Sequence, residues 1–348
     1  MVLVTFLLIQ EGSAFAKSPT YTSYDDTNLI VHVTTEGHEV SLQIPLAKSI
    51  FAVTPHFEDD KFVGILVNKK PGFEDFYKSV GFSTRSHSTV IIYPVFTQAA
   101  YSPNGFYDYY KKKCDEKCLT VSIPHKINGD YSASAMSELV FPLLNYSYIT
   151  DVDIDKNPDI LKQYEKVIVL HNEYVTKREF DAITHHPDVV FLYPNALYAE
   201  VHADYSNNVV TLVRGHGYPD PHIENGFDWK YDNSKHEFNV MCDNWNFYKR
   251  GNYSMLNCYP EYRILYDREL LRSLQMSDPT DLTSDISNWF RYPQQKEMIQ
   301  QLLSDYDAHG SHIPDWVQNP AIMLLNGEIT KEEFSNLVIY LYDNKIIT

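Results

Sequence analysis

The sequence predicts an α/β protein: a flavodoxin-like, doubly wound, mainly parallel sheet with an N-terminal β unit and a small C-terminal helical module. Two observations carry the sheet. From 89 to 194 short apolar runs alternate with amphipathic stretches, which is the rhythm of strands buried between helices. Within that span, residues 167–170 (VIVL) and 189–192 (VVFL) are long enough for buried strands and too short for helices. Between them, in TKREFDAITHH, Thr176 and Glu179 have capping-box spacing and Phe180 and Ile183 form an apolar stripe. Strand, helix and strand in about thirty residues make a βαβ unit with parallel strands. A third observation, the alternation of apolar and polar residues from 29 to 70, gives the β unit that precedes the sheet.

Taken in order, residues 1–16 read as a signal peptide. An apolar run over 2–9 is followed by Ala14-Phe15-Ala16, a small-x-small site with cleavage expected before Lys17. The competing reading of the run is a buried first strand or helix. Residues 17–85 form the β unit: LIVHVTT, EVSLQIPL and FVGILVN read as strands divided by turns, and GFEDFYKSVGF as a short amphipathic piece. The α/β domain is expected over 86–310. It opens with a strand over 89–96 (TVIIYPVF), then a long aromatic loop with Tyr101, Phe106, Tyr107, Tyr109 and Tyr110. Ser132 is expected to cap a helix whose Met136, Val140, Leu143 and Leu144 share a face. A strand over 146–149 leads into an acidic loop, TDVDIDKNP, and then a short helix over 159–164. After the central βαβ unit, AEVHADY and NNVVTLVRG predict a hairpin at the edge of the sheet. Residues 215–264 read as an irregular excursion covering the cleft, and 265–310 as amphipathic helix.

Composition excludes several functions. The formal charge of −17 over 348 residues, without a long basic run, argues against nucleic acid, whose binding needs Lys and Arg against phosphates. No run reaches the roughly 18 apolar residues of a membrane span. Four cysteines in two local groups, Cys114 with Cys118 and Cys242 with Cys258, suggest two disulfides, most simply within each group; a four-cysteine zinc site is the weaker rival. With these cysteines committed, none remains as an amidotransferase-type nucleophile, and no glycine-rich phosphate loop appears. The expected location is outside the cell or on its surface. Two Asn-x-Ser sequons, at Asn145 and Asn252, do not contradict that.

Ligands of open α/β sheets sit beyond the carboxyl ends of the strands. Those ends carry His171-Asn172-Glu173-Tyr174 and Asn195-Ala196-Leu197-Tyr198. Together with Asp155, Pro158, Leu161 and Tyr164 upstream, they resemble the large subunit of N,N-dimethylformamidase and its class I glutamine-amidotransferase-like relatives. Those proteins carry a GHxEYW(S/T) loop and an N-x-x-Tyr-Trp loop; here Leu170 replaces the glycine, and Val175 and Ala199 replace the tryptophans. The resemblance spans about 130–215. It implies a mononuclear iron held by Tyr174 and Tyr198, with Glu224 or Glu261 as candidates for the third ligand. Amide C–N hydrolysis would then use His171 or Glu173 as acid and base. Asn172, Asn195, Tyr101, His202 and His216 are candidate contacts for a small-molecule or surface ligand, the two histidines also having the chemistry to hold a divalent ion. A non-catalytic ligand-binding or cell-surface protein of the same fold is the alternative. The tail, 311–348, reads IPDWV…NGEITKEEFSNLVIYLYDNKII and predicts a two-helix module. It resembles C-terminal modules of secreted and surface proteins of ammonia-oxidising archaea, with Met323-Leu324 where a tryptophan pair is usual.

Overall fold

The computed structural model describes residues 2–5, 20–24, 28–35, 38–46, 48–58, 61–81, 89–126, 132–275 and scattered positions between 320 and 340. The chain falls into two compact units, Met1–Thr280 and Asp281–Thr348. The helical stretch expected beyond 275 and the C-terminal module lie outside the described residues, apart from single positions such as the buried Phe334.

The first unit begins with six strands: β1 (Val2–Thr5), β2 (Thr20–Tyr24), β3 (Asn28–Thr35), β4 (His38–Pro45), β5 (Phe51–Glu58) and β6 (Lys61–Lys69). They form two antiparallel sheets, ordered β1-β6-β5 and β2-β3-β4. Val2–Thr5 of the apolar run pair with β6; the remainder of the expected signal peptide lies outside the described residues. Helix α1 (Glu74–Val80) follows, and its Tyr77 hydroxyl donates to the Ile50 carbonyl at 2.6 Å.

The α/β part runs β7 (Thr89–Tyr93), α2 (Val95–Tyr101), α3 (Phe106–Tyr110), β8 (Thr120–Ser122), α4 (Ala135–Leu143), β9 (Ser147–Thr150), α5 (Asp151–Lys156) and β10 (Lys166–Val169). It continues with β11 (Tyr174–Thr176), α6 (Lys177–Thr184), β12 (Val189–Phe191), β13 (Ala199–Asp204), β14 (Val209–Arg214), β15 (Phe247–Arg250), β16 (Tyr253–Leu256) and α7 (Arg268–Ser273). A six-stranded sheet has the order β15-β16-β12-β10-β7-β9; all neighbours are parallel except the β15–β16 pair. The βαβ unit forms as the spacing predicts: β10 and β12 are parallel neighbours, and the Thr176 hydroxyl accepts from the Glu179 amide at 3.1 Å to start α6. Val167, Ile168, Val169, Val189, Val190 and Phe191 are all fully buried, each contributing roughly 1.5–3 kcal/mol. A second sheet, β11-β13-β14-β8, stands beside the first.

Several expectations are corrected. Pro94 ends β7 at Tyr93, because proline has no N–H for the ladder. The aromatic loop after it is two short helices; α2 buries Val95, Phe96, Ala99 and Ala100 in the core of the second sheet. The acidic loop is α5. Thr150 and Asp153 form a reciprocal capping box there, with N–H to oxygen distances of 3.1 and 2.9 Å, so the carboxylates sit where a helix N-terminus favours them. Ser134, not Ser132, occupies the N-cap of α4. The 199–214 hairpin forms, but in the second sheet rather than at the edge of the first. The excursion contributes two strands to the main sheet, since Ser254 and Met255 are fully buried between β12 and β15.

Candidate functional site

Two strand tips make the site. β10 ends at Val169, and Leu170, His171, Asn172 and Glu173 follow with no exposed surface. The next residue, Tyr174, already begins β11 in the second sheet. The chain repeats this one strand over: β12 ends at Phe191, six residues intervene after Leu192, and Ala199 begins β13, the parallel partner of β11. Both tips therefore cross the seam between sheets side by side. They are tied by backbone hydrogen bonds: Leu197 N–H to the Asn172 carbonyl at 2.8 Å, and Tyr198 and Ala199 N–H to the Glu173 carbonyl at 2.9 Å each. Asn195 and Leu197 hold φ of +61° and +56° to make this turn. For leucine that is an unfavourable conformation, of the kind that surrounding structure must enforce.

Glu173 is the centre of the cluster. Tyr101 at the end of α2 donates a short hydrogen bond to its Oε2, and the Tyr107 hydroxyl lies 3.3 and 3.4 Å from its two oxygens. Tyr174 packs edge-on against Phe106 at 5.1 Å. From the far side comes His216, on a turn in which Gly215, His216 and Gly217 all have positive φ: +114°, +53° and +76°. A Cβ at position 215 would stand 2.9 Å from the Ala199 Cα, so glycine is required for that close approach. The turn pushes the imidazole among four phenol rings. Its centroid is 4.3 Å from Tyr110, 5.6 Å from Tyr107, 5.9 Å from Tyr198 and 6.5 Å from Tyr174. His216 Nδ1 is 3.9 Å from Glu173 Oε1. Both side-chain polar atoms of Asn172 and the Asn195 Oδ1 are buried here with no hydrogen-bond partner among the described residues, while the buried Tyr174 hydroxyl has the Glu173 carboxyl as its neighbour.

Burial sets the protonation of this cluster. It pushes the Glu173 carboxyl up to about 8, against the opposing pull of the Tyr101 and Tyr107 hydroxyls. It lowers His216 to about 4 and His171 to about 3. The phenols of Tyr101, Tyr107 and Tyr174 are driven well above their ordinary range, first by burial and then by Glu173. At neutral pH the cluster is therefore mostly uncharged and rich in protons, so a cation entering it would displace protons rather than counter-ions.

The structure brings together His171, Asn172, Glu173, Tyr174, Asn195, Tyr198, His216 and Tyr101. The other candidates stand differently. Glu261 has its carboxyl committed, accepting from the Met136 N–H at 2.9 Å and from the Tyr193 hydroxyl at 2.7 Å. Glu224 is exposed; its carbonyl accepts from the His216 N–H at 2.7 Å, and its charge raises the Tyr198 phenol after burial, Asp232 and Glu173. His202 is exposed on β13. Among the described residues, no three His, Cys, Asp or Glu side chains stand together so as to hold an ion; phenol oxygens are the donors that remain. Sequence reasoning missed Glu237, whose carboxyl is pushed up to about 9 by burial, Glu173 and Asp232. It lies in the irregular segment with no periodicity to flag it. Also unanticipated was Tyr259, whose ring stands 5.7 Å from that of His171 and 5.2 Å from that of Tyr193. The cysteines pair as Cys114–Cys118 and Cys242–Cys258, with Cα separations of 6.0 and 5.2 Å. Compared with known proteins, the chain matches no family model and no curated protein.

Proposed function

We propose that the chain is an exported protein of flavodoxin-like topology whose two strand tips hydrolyse an amide C–N bond with the help of a metal ion, as the resemblance to the dimethylformamidase large subunit implies. Numbered along the chain, the five parallel strands stand in the order 2-1-3-4-5, that of flavodoxin-like sheets. In such sheets the ligand crevice opens where the order reverses, between β7 and β10. Tyr101, following β7, meets Glu173, following β10, at that point. Two disulfides, and no helix among the described residues long and apolar enough to cross a membrane, are compatible with export.

The observation that carries the chemical reading is the pair of phenols, Tyr174 and Tyr198, facing one imidazole, with the Tyr174 hydroxyl fully buried beside Glu173 and the Asn172 amide left unpaired next to it among the described residues. Buried polar atoms are seldom left unpaired without a reason. Two phenols are hard oxygen donors that fit ferric iron, and Glu224, at the rim near Tyr198, fits the third place better than Glu261, whose oxygens are taken. When bound, such an ion lowers the phenol pKa values and polarises an amide carbonyl. The unpaired Asn172 amide can then bind and orient a substrate amide, offering both a donor and an acceptor. Glu173, protonated at neutral pH, holds a proton to hand to the departing nitrogen. His216, neutral and 3.9 Å from Glu173, suits the role of base more closely than His171.

Elemental analysis of the purified chain tests this directly, beside hydrolysis of small formamides. About one iron per chain, lost in Tyr174→Phe together with activity, is the expected result. Iron-free protein that binds a small amide without cleaving it would leave the non-catalytic surface protein as the reading.

A further inference from the structure

The sequence holds two Asn-x-Ser triplets, Asn145-Tyr146-Ser147 and Asn252-Tyr253-Ser254. Each is a potential acceptor for an N-linked glycan, and such acceptors belong on exposed turns. The fold gives the two opposite surroundings. Asn252 donates its side-chain amide to the His186 carbonyl, and its own carbonyl accepts from the Val189 N–H at 3.4 Å. Ser254, two residues on, is fully buried in β16 between β12 and β15. A sugar on that nitrogen would have to displace the hydrogen bond to His186 beside the start of β16.

Asn145 is exposed and lies just past the Leu144 C-cap of α4, with φ of +61°. Its backbone N–H is satisfied by the Pro142 carbonyl at 3.0 Å, while no described residue engages its side-chain amide. Beneath it, Tyr146 is anchored: the hydroxyl donates to the Val80 carbonyl at 3.1 Å and the ring packs 4.9 Å from Phe141. Ser147 starts β9, which is the outermost strand of the six-stranded sheet. The ordinary explanation of asparagine here is that it tolerates a left-handed helix stop. That explanation makes no demand on residue 147, where the triplet needs its hydroxyl.

We propose that Asn145 carries an N-linked glycan and that Asn252 does not. This rests on the export part of the preceding reading and on none of its chemistry. In the transfer step the Asn145 Nδ2 forms a bond to the anomeric carbon of a lipid-phosphate-linked oligosaccharide. The bond from that carbon to the phosphate oxygen breaks, the lipid phosphate departs with the electron pair, and the Nδ2 proton is lost to base. The glycan then stands at the head of β9, the outermost strand of its sheet among the described residues, beside the 55% exposed Tyr148, where it would hinder pairing with another strand.

The test uses the full chain recovered from the medium of a cell that glycosylates its exported proteins. Peptides are mapped by mass before and after an amidase that releases N-glycans and leaves aspartate. The expected result is a glycan on the Asn145 peptide alone. It should be abolished by Asn145→Gln and equally by Ser147→Ala, which keeps the asparagine and its turn, and be unaffected by Asn252→Gln. Bare Asn145 in exported, disulfide-bonded protein overturns the proposal while leaving export standing, as does a glycan on Asn252. Protein that never leaves the cell overturns export and this assignment together, and leaves the iron measurement to decide the chemistry.

Discussion

Tyr101 and His216 reach Glu173 from opposite sides, and each makes a prediction at the scale of one side chain. Removing the Tyr101 hydroxyl takes away the shortest hydrogen bond to Glu173 and leaves the longer Tyr107 contacts together with Tyr174 and Asn195. Tyr101→Phe should cost about 1 kcal/mol in denaturant unfolding, the net worth of one buried hydrogen bond between neutral groups. His216 sits at φ +53°, so its replacements separate backbone strain from chemistry. His216→Gly and His216→Ala should both lower amide hydrolysis by about a hundredfold. The alanine variant should be the less stable of the two by about 1 kcal/mol, because it keeps the left-handed penalty that glycine escapes. Equal stability of the pair by thermal unfolding would remove the argument that this turn is held under strain. Glu173 and Tyr174 were legible as candidates because both lie one step beyond a recognisable buried strand. Glu237 was not, because its approach depends on how an irregular segment folds back.

Among elements, α5 and α6 bring a second set of buried carboxyl groups together. Asp151 accepts from the Phe96 N–H at 2.8 Å, and Asp155 accepts from the Thr176 and Tyr205 hydroxyls at 2.6 and 2.7 Å. Glu179, fully buried, has its carboxyl raised well above its ordinary value by burial, Asp151 and Asp155. Asp151 is raised too, by burial first and with Asp153 and Asp155 adding to it. A carboxyl raised in the folded state holds its proton more tightly there than in the unfolded chain. Its stabilising effect is therefore complete below the unfolded value of about 4.3 and is lost as pH rises from there. Glu179→Gln should match the wild type near pH 4 and exceed it in stability at pH 8, by about 1.4 kcal/mol per unit of displacement. Denaturant midpoints at the two pH values measure this. Gly226 joins the excursion to the β13–β14 hairpin so closely that a Cβ would fall 2.2 Å from the Arg214 carbonyl oxygen and 2.7 Å from the Glu200 nitrogen. Gly226→Ala should destabilise by about 1–3 kcal/mol, read as a lowered thermal midpoint. The Cys242–Cys258 bridge closes a loop that contains both β15 and β16; replacing both cysteines by serine should cost about 3 kcal/mol through the entropy of the unfolded chain.

For the whole molecule, periodicity disclosed β10, α6 and β12 because each keeps one pattern over its own length. It did not disclose which strands share a sheet. The hairpin at 199–214 was visible as a pair, yet its partners β8 and β11 are remote in sequence and three residues long, too short to announce themselves. Strand β16 was lost in a stretch rich in Asn, Gly and aromatics, although it lies inside the main sheet. The knot of three N–H groups that ties Leu197, Tyr198 and Ala199 to the Asn172 and Glu173 carbonyls has a kinetic consequence. Loops that carry chemistry commonly open far more readily than the core. Here those three amides should exchange with deuterated solvent as slowly as Val190, and only when the sheet itself comes apart, so any ligand must enter by movement of the His216 turn rather than by fraying of the tips.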